Sequence, residues 1–193
     1  MSQNLLNRII TSIFLLSLLI FINFSNQYIF ILSILVLGTI VCVEANNMFL
    51  KLIVNKPLKN NIFKKFSFNF LILNLITFFY IFFIFCNFSY EIYKMQGPVF
   101  FLYLLSICFF TDIGGYVCGK IIGGKKLSKI SPNKTISGTI GSFLFSLIPL
   151  ILFLNFNYLD LKLNLNNIVF SLMVSLISQL GDLFVSFLKR KAK

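Results

Sequence analysis

Two carboxylates stand where a hydrophobic chain should carry none. Asp112 lies in TDIGGYVCGK and Asp182 in SQLGDLFVSFLKR, each inside a run apolar enough to lie in lipid. A charge at that depth is costly, so each acid needs a partner or a route to water. Around Asp182, the residues Ser171, Ser175, Ser178, Ser186 and Lys189 recur at intervals of three and four, which puts the whole set on one helix face. Serines alone are explained as well by hydrogen bonds between membrane helices. With an acid and a lysine on the same stripe, a wet functional face becomes the better reading. Beside Asp112, Gly115 and Gly119 are four apart, the spacing that lets a second helix approach closely. Two carboxylates on closely packed helices, with Lys120, Lys125, Lys126, Lys129 and Lys134 nearby, suit a divalent cation shared with an anionic ligand. Mg²⁺ fits best, because it takes few protein carboxylates and fills its other positions with phosphate oxygens and water. An ion or proton pathway competes with that reading.

The segment GKIIGGKKLSKISPNKTISGTIGS, 119–142, supplies the chemistry such a ligand would need. Glycine turns offer backbone N–H groups, the lysines offer ammonium charge, and the hydroxyls offer further donors. Ser131-Pro132 starts a turn into a helix, placing Lys134, Thr135 and Ser137 at its positive N-terminus. GGYVCGKI and GKIIGGKK come close to a P-loop but lack its final Ser or Thr and any preceding strand. A polybasic segment resting on anionic lipid is the plainer alternative. The other basic loop, NKPLKNNIFKK at 55–65, fits topology and lipid contact alone.

The elements that must position these groups follow from composition. The chain is 58% hydrophobic and 11% charged, with 26 Phe, whereas a soluble domain is about a quarter charged. The expectation is an all-α, polytopic membrane helix bundle forming one domain over 1–193. Six apolar runs, near 9–24, 28–46, 67–86, 98–118, 137–155 and 167–188, each suffice to cross about 30 Å of hydrocarbon as helix. Of the 17 Lys and Arg, all but Lys94 and Lys162 then fall on one side, so both termini are expected in the cytoplasm. Glu91 and Asp160 fall in outer loops. That distribution accounts for the net charge of +12 without nucleic acid. Cys42, Cys86, Cys108 and Cys118 have no C-x-x-C spacing and read as packed thiols.

Taken together, TDIGGYVCGKIIGGKKLSKISPNKTISGTIGS and SQLGDLFVSFLKR resemble the two best-known segments of bacterial phosphatidate cytidylyltransferases, the CDP-diglyceride synthases. The resemblance implies a multi-pass enzyme of the bacterial inner membrane, its site facing the cytoplasm. Such an enzyme joins CTP to phosphatidic acid with Mg²⁺, giving CDP-diacylglycerol and pyrophosphate; its partners are membrane lipids, and a homodimer is compatible with it. By position, Asp112 matches the acid of a T-D-x-x-x-Y element, and Ser131, Pro132, Lys134, Thr135 and Gly138 match S-P-x-K-T-x-x-G. Gly181, Asp182, Ser186, Lys189 and Arg190 match G-D-x-x-x-S-x-x-K-R. The likeness therefore implies Asp182 and Asp112 as metal ligands, with Lys189 completing the catalytic set. Ser131, Lys134, Thr135, Gly138, Ser186 and Arg190 would bind substrate. Ser137 and Val185 stand where many members have Glu. The family signature continues past K-R into further acids and a His-containing stretch, while this sequence has no His. On that likeness the chain reads as the family's domain without its C-terminal part, and its activity at this length is in doubt. The alternatives are an inactive membrane fragment, a small ion or solute transporter using the two Asp residues, and a related CTP-using lipid kinase.

Overall fold

A backbone in hydrocarbon finds no water to bond, so an apolar chain of this kind satisfies its N–H and C=O groups internally, as helix. The computed structural model describes residues 3–54, 63–127, 131, 134–155 and 163–191. Its helices are α1 (Gln3–Phe24), α2 (Gln27–Val54), α3 (Phe63–Phe79), α4 (Asn87–Ile121), α5 (Ile136–Phe145), α6 (Ile148–Asn155) and α7 (Leu165–Lys191). A π-helical turn, Tyr80–Cys86, joins α3 to α4. Among the described residues the one extended pairing is an isolated antiparallel bridge between Lys126 and Thr135.

The protein is an all-α membrane bundle. Four helical stretches among the described residues are long and apolar enough to cross a bilayer: Gln27–Lys51, Phe70–Ile121, Ile136–Asn155 and Leu165–Lys191. Ile10–Phe24 is a shorter apolar helix, and Phe70–Ile121, at 52 residues, has the length of two crossings. Large side chains face outward, among them Phe21 at 68%, Leu32 at 65% and Phe184 at 62% exposure. In water such a surface would aggregate; against acyl chains it is the stable arrangement.

Two elements differ from the sequence-based expectation. Residues 87–96, expected as an outer loop on account of Glu91 and Lys94, are helical up to Gly97, whose φ of 83° and ψ of 172° break α4 just before Pro98. The span expected at 137–155 is two helices, α5 and α6. Pro149 explains the interruption, since its ring excludes the carbonyl of Phe145, four residues back, from continuing the helix. Pro132, Lys56, Lys59, Lys129, Asp160, Lys162 and Lys193 lie outside the described residues.

The chain forms two compact units, one of Met1–Glu44 with Leu75–Leu102, the other of Ala45–Asn74 with Tyr103–Lys193. In the first, Phe30, Ile34, Ile81 and Cys86 make a core on which Ile22, Cys42, Tyr93 and Phe101 pack. The Phe30 and Tyr93 rings stack at 3.8 Å. At the break after α1, Tyr93 Oη donates to the carbonyls of Asn23 and Ser25, and Asn23 Nδ2 donates to Pro98 O at 2.7 Å. All four cysteines are free thiols, as expected.

The second unit holds the groups singled out in the sequence. Its centre is a seam between residues 103–121 of α4 and helix α5, made where both backbones lack side chains. A Cβ on Gly114 would lie 2.5 Å from Gly141 O; one on Gly138 would lie 2.8 Å from Gly115 O; one on Gly141 would strike the Cys118 side chain. The Gly115/Gly119 spacing thus does bring a helix close, and Gly138 and Gly141 answer it from α5. Ser142 Oγ donates across the seam to Thr111 O at 2.8 Å. Helix α7 packs on α5 and α6, and Tyr103 and Ser171, both fully buried, join α4 to α7 through hydroxyls 2.9 Å apart.

Candidate functional site

Helix α5 begins where Thr135, extended at φ −110° and ψ 158°, turns its hydroxyl back to accept from Gly138 N at 3.1 Å. This N-cap satisfies one of the amides that a helix start leaves bare. The segment before it is tied down by backbone bonds, from Lys134 N to Ser131 O, Leu127 N to Lys134 O and Ile136 N to Lys125 O. Ser137 Oγ donates to Gly123 O and lies 3.0 Å from Thr135 Oγ1. Gly123 and Gly124, with φ of 61° and 106°, supply the left-handed backbone this reversal needs. The stretch from Lys134 into α5 is therefore held by its own backbone.

Beside that helix start lies a cavity of about 250 Å³ lined by Asp112, Gly115 and Tyr116 of α4, Lys134 and Thr135, Gly138, Thr139 and Ser142 of α5, and Gln179 and Asp182 of α7. Three chain segments, distant in sequence, bring both intramembrane carboxylates to one opening. Lys134 Nζ stands 3.2 Å from Asp182 Oδ2, so the ammonium neutralises that acid directly. Lys120 Nζ donates at 3.3 Å to the hydroxyl of Tyr116, itself a lining residue.

Of the residues named from sequence, Asp112, Asp182, Lys134, Thr135 and Gly138 are brought together on this cavity. Ser131 is buried and does not line it; its carbonyl accepts from Lys134 N. Ser186, Lys189 and Arg190 are further along α7 and do not line it. The α7 stripe divides: Ser171 and Ser175 are fully buried in helix packing, while Gln179 and Asp182 face the cavity. The wet face expected along the whole stripe is therefore confined to its Asp182 end. Tyr116, the Tyr of the T-D-x-x-x-Y element, also lines the cavity, together with Thr139, Ser142 and Gln179, which no motif singles out. Spacing held the signal, since Tyr116 follows Asp112 by four, Thr139 follows Thr135 by four, and Gln179 precedes Asp182 by three.

The donors around the opening are carboxylates, hydroxyls and an amide, hard oxygen ligands that suit Mg²⁺ better than a soft metal. Among the described residues no group of three or more His, Cys, Asp or Glu gathers to hold a metal. A cation here would rest on Asp112 and Asp182 and complete its shell from a ligand and water.

The protein is thus a helical membrane protein with two acids and a lysine-bearing helix start on one cavity. The chain belongs to the cytidylyltransferase family, whose model matches residues 45–193. It is similar to the phosphatidate cytidylyltransferase of Staphylococcus haemolyticus (strain JCSC1435), 40% identical over 98 residues that make up 50% of this chain and 37% of that protein. It is also similar to the phosphatidate cytidylyltransferase of Staphylococcus aureus (strain COL), 41% identical over 99 residues with the same shares. The chain thus spans little more than a third of the curated relatives it matches. No solved structure matches it.

Proposed function

We propose that this chain carries the nucleotide site of a CTP:phosphatidate cytidylyltransferase. The enzyme transfers CMP from CTP to phosphatidic acid, giving CDP-diacylglycerol and pyrophosphate for phospholipid synthesis. One observation carries the reading: Asp112, Asp182 and Lys134 share a cavity with the capped start of α5. Both reactants are anions, so the obstacle is charge repulsion and orientation, and fixed cations and dipoles are the remedy. A phosphate oxygen of phosphatidic acid attacks the α-phosphorus of CTP in line; the bond to the bridging oxygen breaks, and pyrophosphate leaves with that electron pair.

Each residue then has a task. Asp112 and Asp182 would hold Mg²⁺, which would supply positive charge against the phosphates when bound. Lys134 and the α5 N-terminus receive phosphate oxygens, and Gly138 lets α5 seat against α4, where a Cβ would meet Gly115 O at 2.8 Å. Lys189 and Arg190, exposed near the end of α7, bind phosphate at the membrane surface. In this reading the bundle crosses the bacterial inner membrane six times, with both termini and the cavity mouth on the cytoplasmic face.

The test offers CTP labelled at its α-phosphate, together with phosphatidic acid, to membranes holding this chain with the C-terminal residues of the Staphylococcus haemolyticus relative appended after Lys193. Label should enter CDP-lipid in the presence of Mg²⁺, and Asp182→Ala and Asp112→Ala should each abolish it. Full activity of Asp182→Ala would refute the assignment. Transfer of label from the γ-phosphate instead would mark a lipid kinase.

A further inference from the structure

Lys134 faces two ways in this cavity. Its ammonium is on Asp182 at 3.2 Å, yet the phosphates of an incoming nucleotide need the same charge. A divalent cation on Asp182 competes with that ammonium for the carboxylate and repels it. The backbone of Lys134 cannot follow either partner, because its N–H is held by Ser131 O and its carbonyl by Leu127 N, and Thr135 next to it caps α5. The four-carbon stem can move. It is a flexible arm on a fixed post, and with side-chain exposures of 30% and 55% both members of the pair reach the cavity's solvent.

We propose that Lys134 is a latch on the cation site. Without nucleotide its ammonium engages Asp182 and keeps a divalent ion weakly bound. A polyphosphate draws the ammonium away and frees the carboxylate, so nucleotide and cation favour one another's binding, equally in both directions. The latch rests on the reading of the cavity as a cation–nucleotide site. It makes Lys134 a positioning residue as well as a phosphate ligand, and it disfavours a cation resting on Asp182 with nothing to act on.

The test measures Mn²⁺ affinity, not turnover. The full chain, purified in detergent, is titrated with Mn²⁺ with and without CTP, and free ion is read by its electron paramagnetic resonance signal. Lys134→Met keeps the stem and removes the charge; Lys134→Gln is the second variant, and helical circular dichroism establishes that each is folded. Without CTP, either variant should bind Mn²⁺ about tenfold tighter than the parent, and the gain produced by CTP should shrink. In an Asp182→Asn background, Lys134→Met should alter Mn²⁺ affinity by less than about twofold, because the contested carboxylate is gone. An undiminished effect in that background would show only long-range charge and overturn the latch. Unchanged affinity in both Lys134 variants would overturn it too, leaving the cytidylyl-transfer reading intact. No Mn²⁺ binding by the parent, with or without CTP, would overturn the latch and the cation assignment together.

Discussion

Replacing Gly141 by Ala adds one methyl to the seam between α4 and α5. The new Cβ would sit 2.8 Å from Gly114 O and closer still to the Cys118 side chain, where ordinary contact begins at 3.4 Å. Neither the carbonyl, part of a helix, nor the nearer Cys118 Cβ, fixed to its own backbone, can swing aside, so the helices must part by about 1 Å, an overpacking strain of about 2 kcal/mol. Gly181→Ala supplies the control, since a Cβ there meets nothing within 4 Å and a helical Gly-to-Ala change stabilises by about 0.5 to 1 kcal/mol. Both exchanges add the same atoms to the same kind of protein. Net of the same helical gain, the seam strain leaves about 1.3 kcal/mol, so thermal unfolding in detergent, followed by circular dichroism, should place Gly141→Ala about 4 °C below the parent and Gly181→Ala at or above it. Equal midpoints for the two variants would refute the claim that backbone contact holds the seam.

Three further outcomes follow from the same geometry. Thr135→Val removes the acceptor of Gly138 N, so that amide should exchange with deuterium about fivefold faster, the equivalent of a cap worth about 1 kcal/mol. Tyr103→Phe should destabilise by only about 0.6 to 1 kcal/mol in the same unfolding assay, because Ser171 Oγ keeps its bond to Asn167 O. A green fluorescent protein fused after Lys193 should fluoresce and an alkaline phosphatase fused there should be inactive, if the basic cluster Lys189, Arg190 and Lys191 stays in the cytoplasm.

The bundle was legible because hydropathy is a long-range average, and no alternative to helix satisfies so apolar a chain. Asp112 and Asp182 were legible for the opposite reason: each is a local anomaly whose desolvation demands an explanation. What escaped was punctuation. Hydropathy reports preference for lipid, not the end of a helix, so Glu91 and Lys94 looked like a loop while the chain stayed helical to Gly97. Pro149 sits in an unbroken apolar run, and its effect falls on Phe145, where composition gives no sign of it. On α7 the serines looked alike, but Ser171 and Ser175 are consumed by packing and only the turn at Asp182 opens. Such differences depend on the neighbouring helix, which spacing along a single helix does not identify.

The bare seam has a consequence for how this cavity can change. Asp112 and the α5 start stand on two helices whose backbones come close at Gly114, Gly115, Gly138 and Gly141, so little slack remains between them. The opposite wall is different: Gly181, next to Asp182, has open space around it. One wall is locked by close contact at its glycines, while on the other a side chain at position 181 would meet nothing within 4 Å. Sequence changes that add bulk beside this cavity are therefore tolerated better on α7 than on α4 or α5.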